Sequence, residues 1–348
     1  MRYLITLTPL EPFFFGGDIT FGKFKKLFAK LKKIKFTSSP KVLTLRDFEY
    51  HRIEFYKKSK DENNSSYLVQ SRYFPQQSAI LGMIRKEMLI QKGYLTTKRK
   101  GEWIDKSLKE EAKKFIGDSK FEFDTKQDFG VFKNISPIFL LRGDKKFIKK
   151  VAIDKYSDGL LEGYNPKEDI YNNFIPIDNG KPLKTEDIFK EVKQIGNSKN
   201  DKEDSLFKKT SYILKDNFKF AFYIESDFEL KDAFINLGGE KSTFQMSIIK
   251  TDDTLEYRDK NGYLTLLSDA YIDIDIRDNC DFAITSEISF NYLQNKFQEN
   301  GKKIFDKSPK TRFLYEKGSV FINPTDKLLE NLNKPNLQKI GLNIGSLK

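Results

Sequence analysis

Polar and apolar positions alternate over residues 2–9, with Tyr3, Ile5 and Leu7 on one face, and this predicts a half-buried strand. It runs into Glu11-Pro12-Phe13-Phe14-Phe15-Gly16-Gly17-Asp18, an aromatic-to-glycine corner. The period then changes. Phe24, Leu27, Phe28, Leu31 and Ile34 recur at helical spacing among the lysines of Lys23 to Lys35, which predicts a short basic amphipathic helix. A polar loop follows over 57–66. The clearest helix spans 76–91, preceded by Pro75 and striped by Ile80, Leu81, Ile84, Met88 and Leu89. Gly82 inside it implies close approach of another backbone, since glycine in a helix interior costs about 1 kcal/mol against alanine. Another helix is expected over 105–116, ended by Gly117.

Apolar runs at 135–141 and 147–153 flank Arg142-Gly143-Asp144-Lys145, a hairpin signal. Residues 154–210 are rich in Asp, Asn, Lys and Gly and read as a long excursion. Beyond them the pattern predicts a strand at 218–224, a short helix at 230–237 and a strand at 243–249. The polar stretch 250–262 is the best domain boundary. Further strands are expected near 264–276, 281–288, 310–315 and 319–322, then a helix at 327–332 and a closing glycine segment at 339–345. With insertions at about 16–66, 95–130 and 154–210 set aside, residues 1–255 follow a βαββαβ, ferredoxin-like α+β order. Residues 256–348 are a shorter α+β unit repeating that theme in degenerate form.

Composition narrows what such a fold does. Lys and Arg number 62 against 50 Asp and Glu, a net charge of +12, which favours a polyanionic partner. Aromatic residues make up 14% of the chain, so it is globular rather than disordered. The single cysteine, Cys280, allows no internal disulfide and suggests a reducing compartment. With only one histidine as well, no Cys/His zinc site is built within the chain. No apolar run approaches the roughly 20 residues of a membrane span, and the first residues do not read as a signal peptide, so the expected location is cytoplasmic.

Catalytic signals are weak. His51, between Tyr50 and Arg52, is a candidate general base for RNA cleavage, but no orienting partner accompanies it in sequence, and a loop histidine is the commoner explanation. Asp273 and Asp275 alternate with isoleucines, which on a strand aims both carboxylates one way, toward a hard cation or, more often, toward water. No P-loop, nucleophile elbow or dinucleotide fingerprint is present. Gly238-Gly239, Gly318-Ser319 and Gly341 with Gly345 are candidate phosphate cradles, because glycine lets a backbone approach and its amides can bind an anion. Lys241, Ser242 and Lys317 beside them strengthen that reading.

Several of these segments together resemble a known family. Arg72-Tyr73-Phe74-Pro75-Gln76-Gln77-Ser78, running on to Gly82 and Arg85, is similar to the helix start of RAMP-superfamily CRISPR proteins. The strongest resemblance is to the third subunit of the type III-B (Cmr) effector. The corner at Glu11–Asp18 matches that family's post-strand corner, with Gly16 and Gly17 at its end. Leu237-Gly238-Gly239-Glu240-Lys241 matches its LGGE turn and following basic residue. Lys310 to Val320, with Lys317, Gly318 and Ser319, resembles its closing strand pair, and Gly341 to Gly345 its last glycine loop. Gln77 stands where the family pattern has proline.

The resemblance implies two ferredoxin-like (RRM-like) RAMP domains, the second degenerate, in a subunit without catalytic residues, metal or cofactor. Its partners would be the 5′ handle of the guide RNA, the large polymerase-like subunit and the backbone RAMP subunit, with target RNA met indirectly and no membrane. The implied RNA-binding residues are Gly16, Gly17, Arg72, Gln76, Gln77, Ser78, Arg85, Gly238, Gly239, Lys241, Ser242, Lys317, Gly318, Ser319, Gly341 and Gly345, all converging on one groove. Arg85 would reach phosphate from the helix face, and 135–153 offers strands for the family's thumb hairpin. The alternative is a metal-independent endoribonuclease that processes precursor guide RNA.

Overall fold

A computed structural model describes residues 1–16, 19–21, 42–44, 67–98, 101–104, 106–118, 121, 123, 126–151, 155–157, 160–162, 173–178, 180–197, 206–290, 293–297, 303–307 and 312–346. The expected lysine-rich helix at Lys23 to Lys35, His51 and Gly17 lie outside the described residues.

The first strand, Arg2–Pro9, lies at the middle of a nine-stranded sheet. On one side it pairs antiparallel with Lys219–Ser226, and on the other with Ser242–Lys250. Lys219–Ser226 pairs next with Phe132–Ile135 and Phe139–Arg142. Phe139–Arg142 turns back through Gly143 and Asp144 into Lys145–Lys149, the hairpin read from the sequence. Asn173–Pro176 and Leu183–Lys184 complete that side. The hairpin at 139–149 is thus embedded between neighbours and is not the free thumb that 135–153 suggested. Tyr3, Ile5 and Leu7 point to the inner face with Phe220, Phe222, Phe244 and Met246, as their alternation requires.

The helix Gln77–Gln91 covers that face, burying Ile80, Leu81, Ile84 and Met88. Gln76 is its N-cap, and it ends where the Lys92 amide bonds the Met88 carbonyl. Gly82 is exposed with nothing near its absent side chain, so no backbone approaches it. The expected close approach is therefore overturned, and the glycine only weakens the helix. Replacing Gly82 with alanine should stabilise the protein by roughly 0.5–1 kcal/mol in chemical denaturation.

Two expectations fail beyond the helix. Residues 233–237 are a strand, not a helix, with Phe234 and Asn236 exposed and Ile235 and Leu237 buried. Period two prevails because the turn at Gly238-Gly239 returns the chain along Ser242–Lys250, and the two strands pair from Ala233↔Met246 to Leu237↔Ser242. A strand therefore occupies the place of the second helix in the βαββαβ order. The excursion at 154–210 also carries regular structure. Its last part, Phe189–Asn197, pairs along its whole length with Leu206–Leu214. That second strand runs parallel to Tyr67–Gln70, which pairs in turn with Ile19–Phe21, giving a four-stranded second sheet.

The C-terminal residues build a small mixed sheet ordered Leu264–Thr265, Val320–Ile322, Phe282–Thr285 and Val42–Thr44. Leu266, Ile276, Phe321, Leu328 and Leu332 are its core, closed by the helix Asp326–Leu332 capped by Thr325. The expected strand across 264–276 stops at Thr265, so Asp273 and Asp275 share no strand face. Asp273 meets Asn331 and Lys334, and Asp275 caps a short 3-10 turn and pairs with Arg277, so each is engaged separately. After the helix Pro335–Lys339 the chain re-enters the first core, where Leu337, Ile340 and Leu342 pack with residues of the central sheet. Tyr257, Leu267 and Ile344 cover the sheet's outer face over Phe139, Ala221 and Tyr223.

Candidate nucleic-acid interface

The glycine turn between Leu237 and Ser242 seats on the aromatic corner. Gly238 has φ +87°, and a Cβ there would lie 2.4 Å from the Phe14 carbonyl oxygen. Only a glycine brings these two backbones so close. The Lys241 amide donates to the Gly238 carbonyl at 3.1 Å, and Asn236 Nδ2 donates to the Lys241 carbonyl at 2.9 Å. The Thr243 amide donates to the Glu11 carboxylate at 2.7 Å, and the buried Ser242 hydroxyl to the Pro12 carbonyl at 3.4 Å.

The corner is fixed from below as well. Phe13 and Tyr212 exchange both backbone hydrogen bonds, at 2.9 and 3.1 Å. The Phe15 amide donates to Ser71 Oγ at 2.9 Å, and Phe15 bridges to Arg72. The rings of Phe13, Phe15, Phe220 and Phe244 pack on one another beneath. Four sequence-distant segments therefore meet at one place on the surface: 11–16, 70–72, 206–214 and 237–243.

What they present is small and basic. Gly16, Gly239, Glu240 and Lys241 are exposed there, with Lys208 on the adjoining strand. Lys209 pairs with Glu240 and sits 5.0 Å from the Phe14 ring centre. Lys241 has no ion pair among the described residues. Lys208 and Lys209 escaped the sequence reading because they stand in the charge-rich excursion.

The remaining candidates do not join this surface with their side chains, although the Arg72 backbone bridges to Phe15 there. Gln77, Gly318 and Gly341 line the seam between the central sheet and the C-terminal residues. Gln77 is buried and donates to the Ser136 carbonyl at 2.6 Å, and a Cβ on Gly341 would lie 2.2 Å from its Nε2. Gly318 packs on Lys149, with its carbonyl accepting from the Val151 amide at 3.0 Å. Ser319 is buried and donates to the Glu316 carbonyl at 2.7 Å. Gly345 bridges to Leu266. Arg72 is half-buried and donates to the Ser289 carbonyl at 3.0 Å. Gln76 and Ser78 are half-buried at the helix start. One groove lined by all these residues is thus not what the fold builds. An exposed corner and an internal seam divide them.

Both buried cations among the candidates are corrected in the same way. Arg85 does not face solvent: it is 7% exposed, its guanidinium lies 5.3 Å from the Phe129 ring centre, and burial pulls it down to about 10. Lys317 is also 7% exposed and reaches inward, 4.0 Å from the Phe74 ring centre and 3.3 Å from the Ile138 carbonyl. Burial pulls its ammonium down to about 8 and pushes the nearby Asp269 carboxyl up, while the Lys317 amide donates to Asp269 at 2.9 Å. A ring lies against each cation and the Ile138 carbonyl accepts from Lys317, where a phosphate was expected, while the buried Arg85 Nε has no hydrogen-bond partner among the described residues. Next to Lys317, Lys149 of the central sheet bridges to Glu316 at 2.5 Å, the two side chains 4% and 26% exposed.

No family model and no curated protein matches the chain. Among solved structures it is similar in fold to a chain of the type III-B Cmr-beta complex bound to cognate target RNA, determined by cryo-EM. The two are 14% identical, the match covers 99% of this chain and 96% of that one, and the TM-score is 0.50. A chain of the Csm3-Csm4 subcomplex of a type III-A CRISPR-Cas interference complex matches 73% of this chain at 14% identity, with a TM-score of 0.32.

Proposed function

We propose that this chain is a non-catalytic RNA-binding subunit of a type III CRISPR ribonucleoprotein in the cytoplasm. In this reading it holds the 5′ handle of the guide RNA, seats the large polymerase-like subunit and adjoins the backbone RAMP subunit. Its two RAMP domains divide near residue 255. The observation that carries the reading is the end-to-end fold likeness to a chain of an RNA-bound type III-B complex. The order of the glycine and arginine motifs along the chain supports it independently. At the corner, Lys241 and the open backbone around Gly239 suit a phosphate: a free ammonium and approachable amides position RNA without reading its sequence.

The test is binding of the purified chain to handle-bearing RNA across a salt series. Affinity should fall steeply with salt. Replacing Lys241 with alanine should weaken binding several-fold and lower the slope of log affinity against log salt by about one, the signature of one lost phosphate contact. Binding that ignores salt, or ignores the handle sequence, counts against the reading. Cutting of repeat RNA without metal, lost on replacing His51 with alanine, would favour the endoribonuclease instead.

A further inference from the structure

The hairpin whose tip carries Lys241 also has a face that none of the described residues covers. The C-terminal cover over the outer side of the central sheet rests on Phe139, Ala221 and Tyr223 and does not extend to the last two strands. There Phe234 is 73% exposed and Ile249 58% exposed. Between and beside them on the same face stand Asn236, Thr243, Gln245 and Ser247. Phe234 pairs directly with Gln245, and no ring of the described residues stacks on it.

Two properties of this face point to its occupant. First, Phe234, Asn236, Thr243, Gln245, Ser247 and Ile249 are all uncharged in a chain of which 32% of residues are charged, with the Asp232 carboxylate at their far end held by the Ile248 amide, and they set amide and hydroxyl groups beside an open aromatic ring. Those are the groups that stack an unpaired base and bond its edge. Its large apolar side chains stand apart with polar ones between them, which is unlike the continuous apolar centre of a protein–protein contact. Second, it is continuous with the corner. The strand that carries Phe234 runs straight into Gly238-Gly239, with Lys241 exposed beyond. Of the two carboxylates at that end, Glu240 is paired with Lys209 and Glu11 is turned onto the Thr243 amide.

We propose that the outer face of the hairpin 233–250 is a base platform for single-stranded RNA: Phe234 stacks one base, Gln245 and its hydroxyl neighbours bond base edges, and Lys241 at the tip holds the phosphate next to them. The proposal rests on the RNA-binding reading above and adds a base-contacting surface that none of the glycine motifs supplies. It also separates two kinds of contact by their response to salt. Stacking does not release counterions, whereas the Lys241 contact does.

The experiment measures affinity of the full-length chain for a handle-bearing single-stranded RNA at several salt concentrations, with Phe234→Ala, Phe234→Trp and Gln245→Ala. Phe234 is a surface residue, so these variants keep the fold, which circular dichroism checks. Phe234→Ala should lose roughly 5- to 100-fold in affinity, the weight of one stacked base, with the salt slope unchanged. Phe234→Trp should bind like the parent, with its added emission quenched by RNA. Wild-type affinity in Phe234→Ala, or loss of binding to another protein subunit with RNA affinity intact, overturns the platform and leaves the RNA-binding reading standing. Failure of the unmodified chain to bind RNA at all overturns both.

Discussion

Replacing Gly341 with alanine should cost roughly 3–5 kcal/mol of stability, seen as a lower midpoint in chemical denaturation. The residue has φ +80°, which strains any side chain by about 1–2 kcal/mol. A Cβ there would also lie 2.6 Å from the Ser136 carbonyl oxygen and 2.9 Å from that of Ile135, besides 2.2 Å from Gln77 Nε2. Backbone cannot yield at two of these points. At the third, Gln77 would have to leave Ser136, stranding a buried donor and acceptor at about 1–3 kcal/mol. Gly239→Ala is the matched control: nothing stands within 4 Å of its Cβ, so its effect should be small. Equal stability of the two variants would remove the seam as the reason for Gly341.

The second large effect concerns the ion pair across the same seam. Lys149→Met should destabilise by roughly 2–4 kcal/mol, since it leaves the Glu316 carboxylate largely out of water without its cation. Adding Glu316→Leu to Lys149→Met should recover most of that loss, because the second charge is then gone too. The pair also sets an acid response. Burial works to raise the Glu316 carboxyl, but Lys149 and its hydrogen bond outweigh it and hold the group below its ordinary 4.5. A carboxyl whose folded value is depressed stabilises above its unfolded value, and that contribution is lost as pH falls through the folded one. The parent should therefore lose stability below about pH 4.5 more steeply than Lys149→Met, measured by denaturation at stepped pH. Parallel curves would mean that Lys149 and Glu316 are not coupled in solution.

The elements that could be read from sequence are those with an unmixed period. Arg2–Pro9 alternates cleanly because one face meets the helix stripe, and the stripe of Gln77–Gln91 is clean for the same reason. The pair Phe189–Asn197 and Leu206–Leu214 was not legible, since Phe189, Val192 and Ile195 recur at every third position and hide the alternation. The strand at 233–237 was misread because so few residues fit either period until the turn beyond them fixes one. For the candidate site, the order of the motifs could be read and their surroundings could not. Close approach to Gly238 is by the Phe14 carbonyl and to Gly341 by Gln77 and Ser136, and a glycine signals nearness without naming the neighbour. Likewise nothing local tells that Arg85 and Lys317 are turned inward. Their burial depends on Phe129 and Phe74, which only the folded chain brings to them.

Leu337, Ile340 and Leu342 fill the same core as Tyr3, Ile5 and Leu7. A chain still emerging from the ribosome therefore holds its first strand with part of its apolar partner surface not yet synthesised. The core around Tyr3, Ile5 and Leu7 stays half-covered until residues 337–342 have been made. A fragment that stops short of residue 337 would leave this core open, a ready substrate for chaperones and proteases.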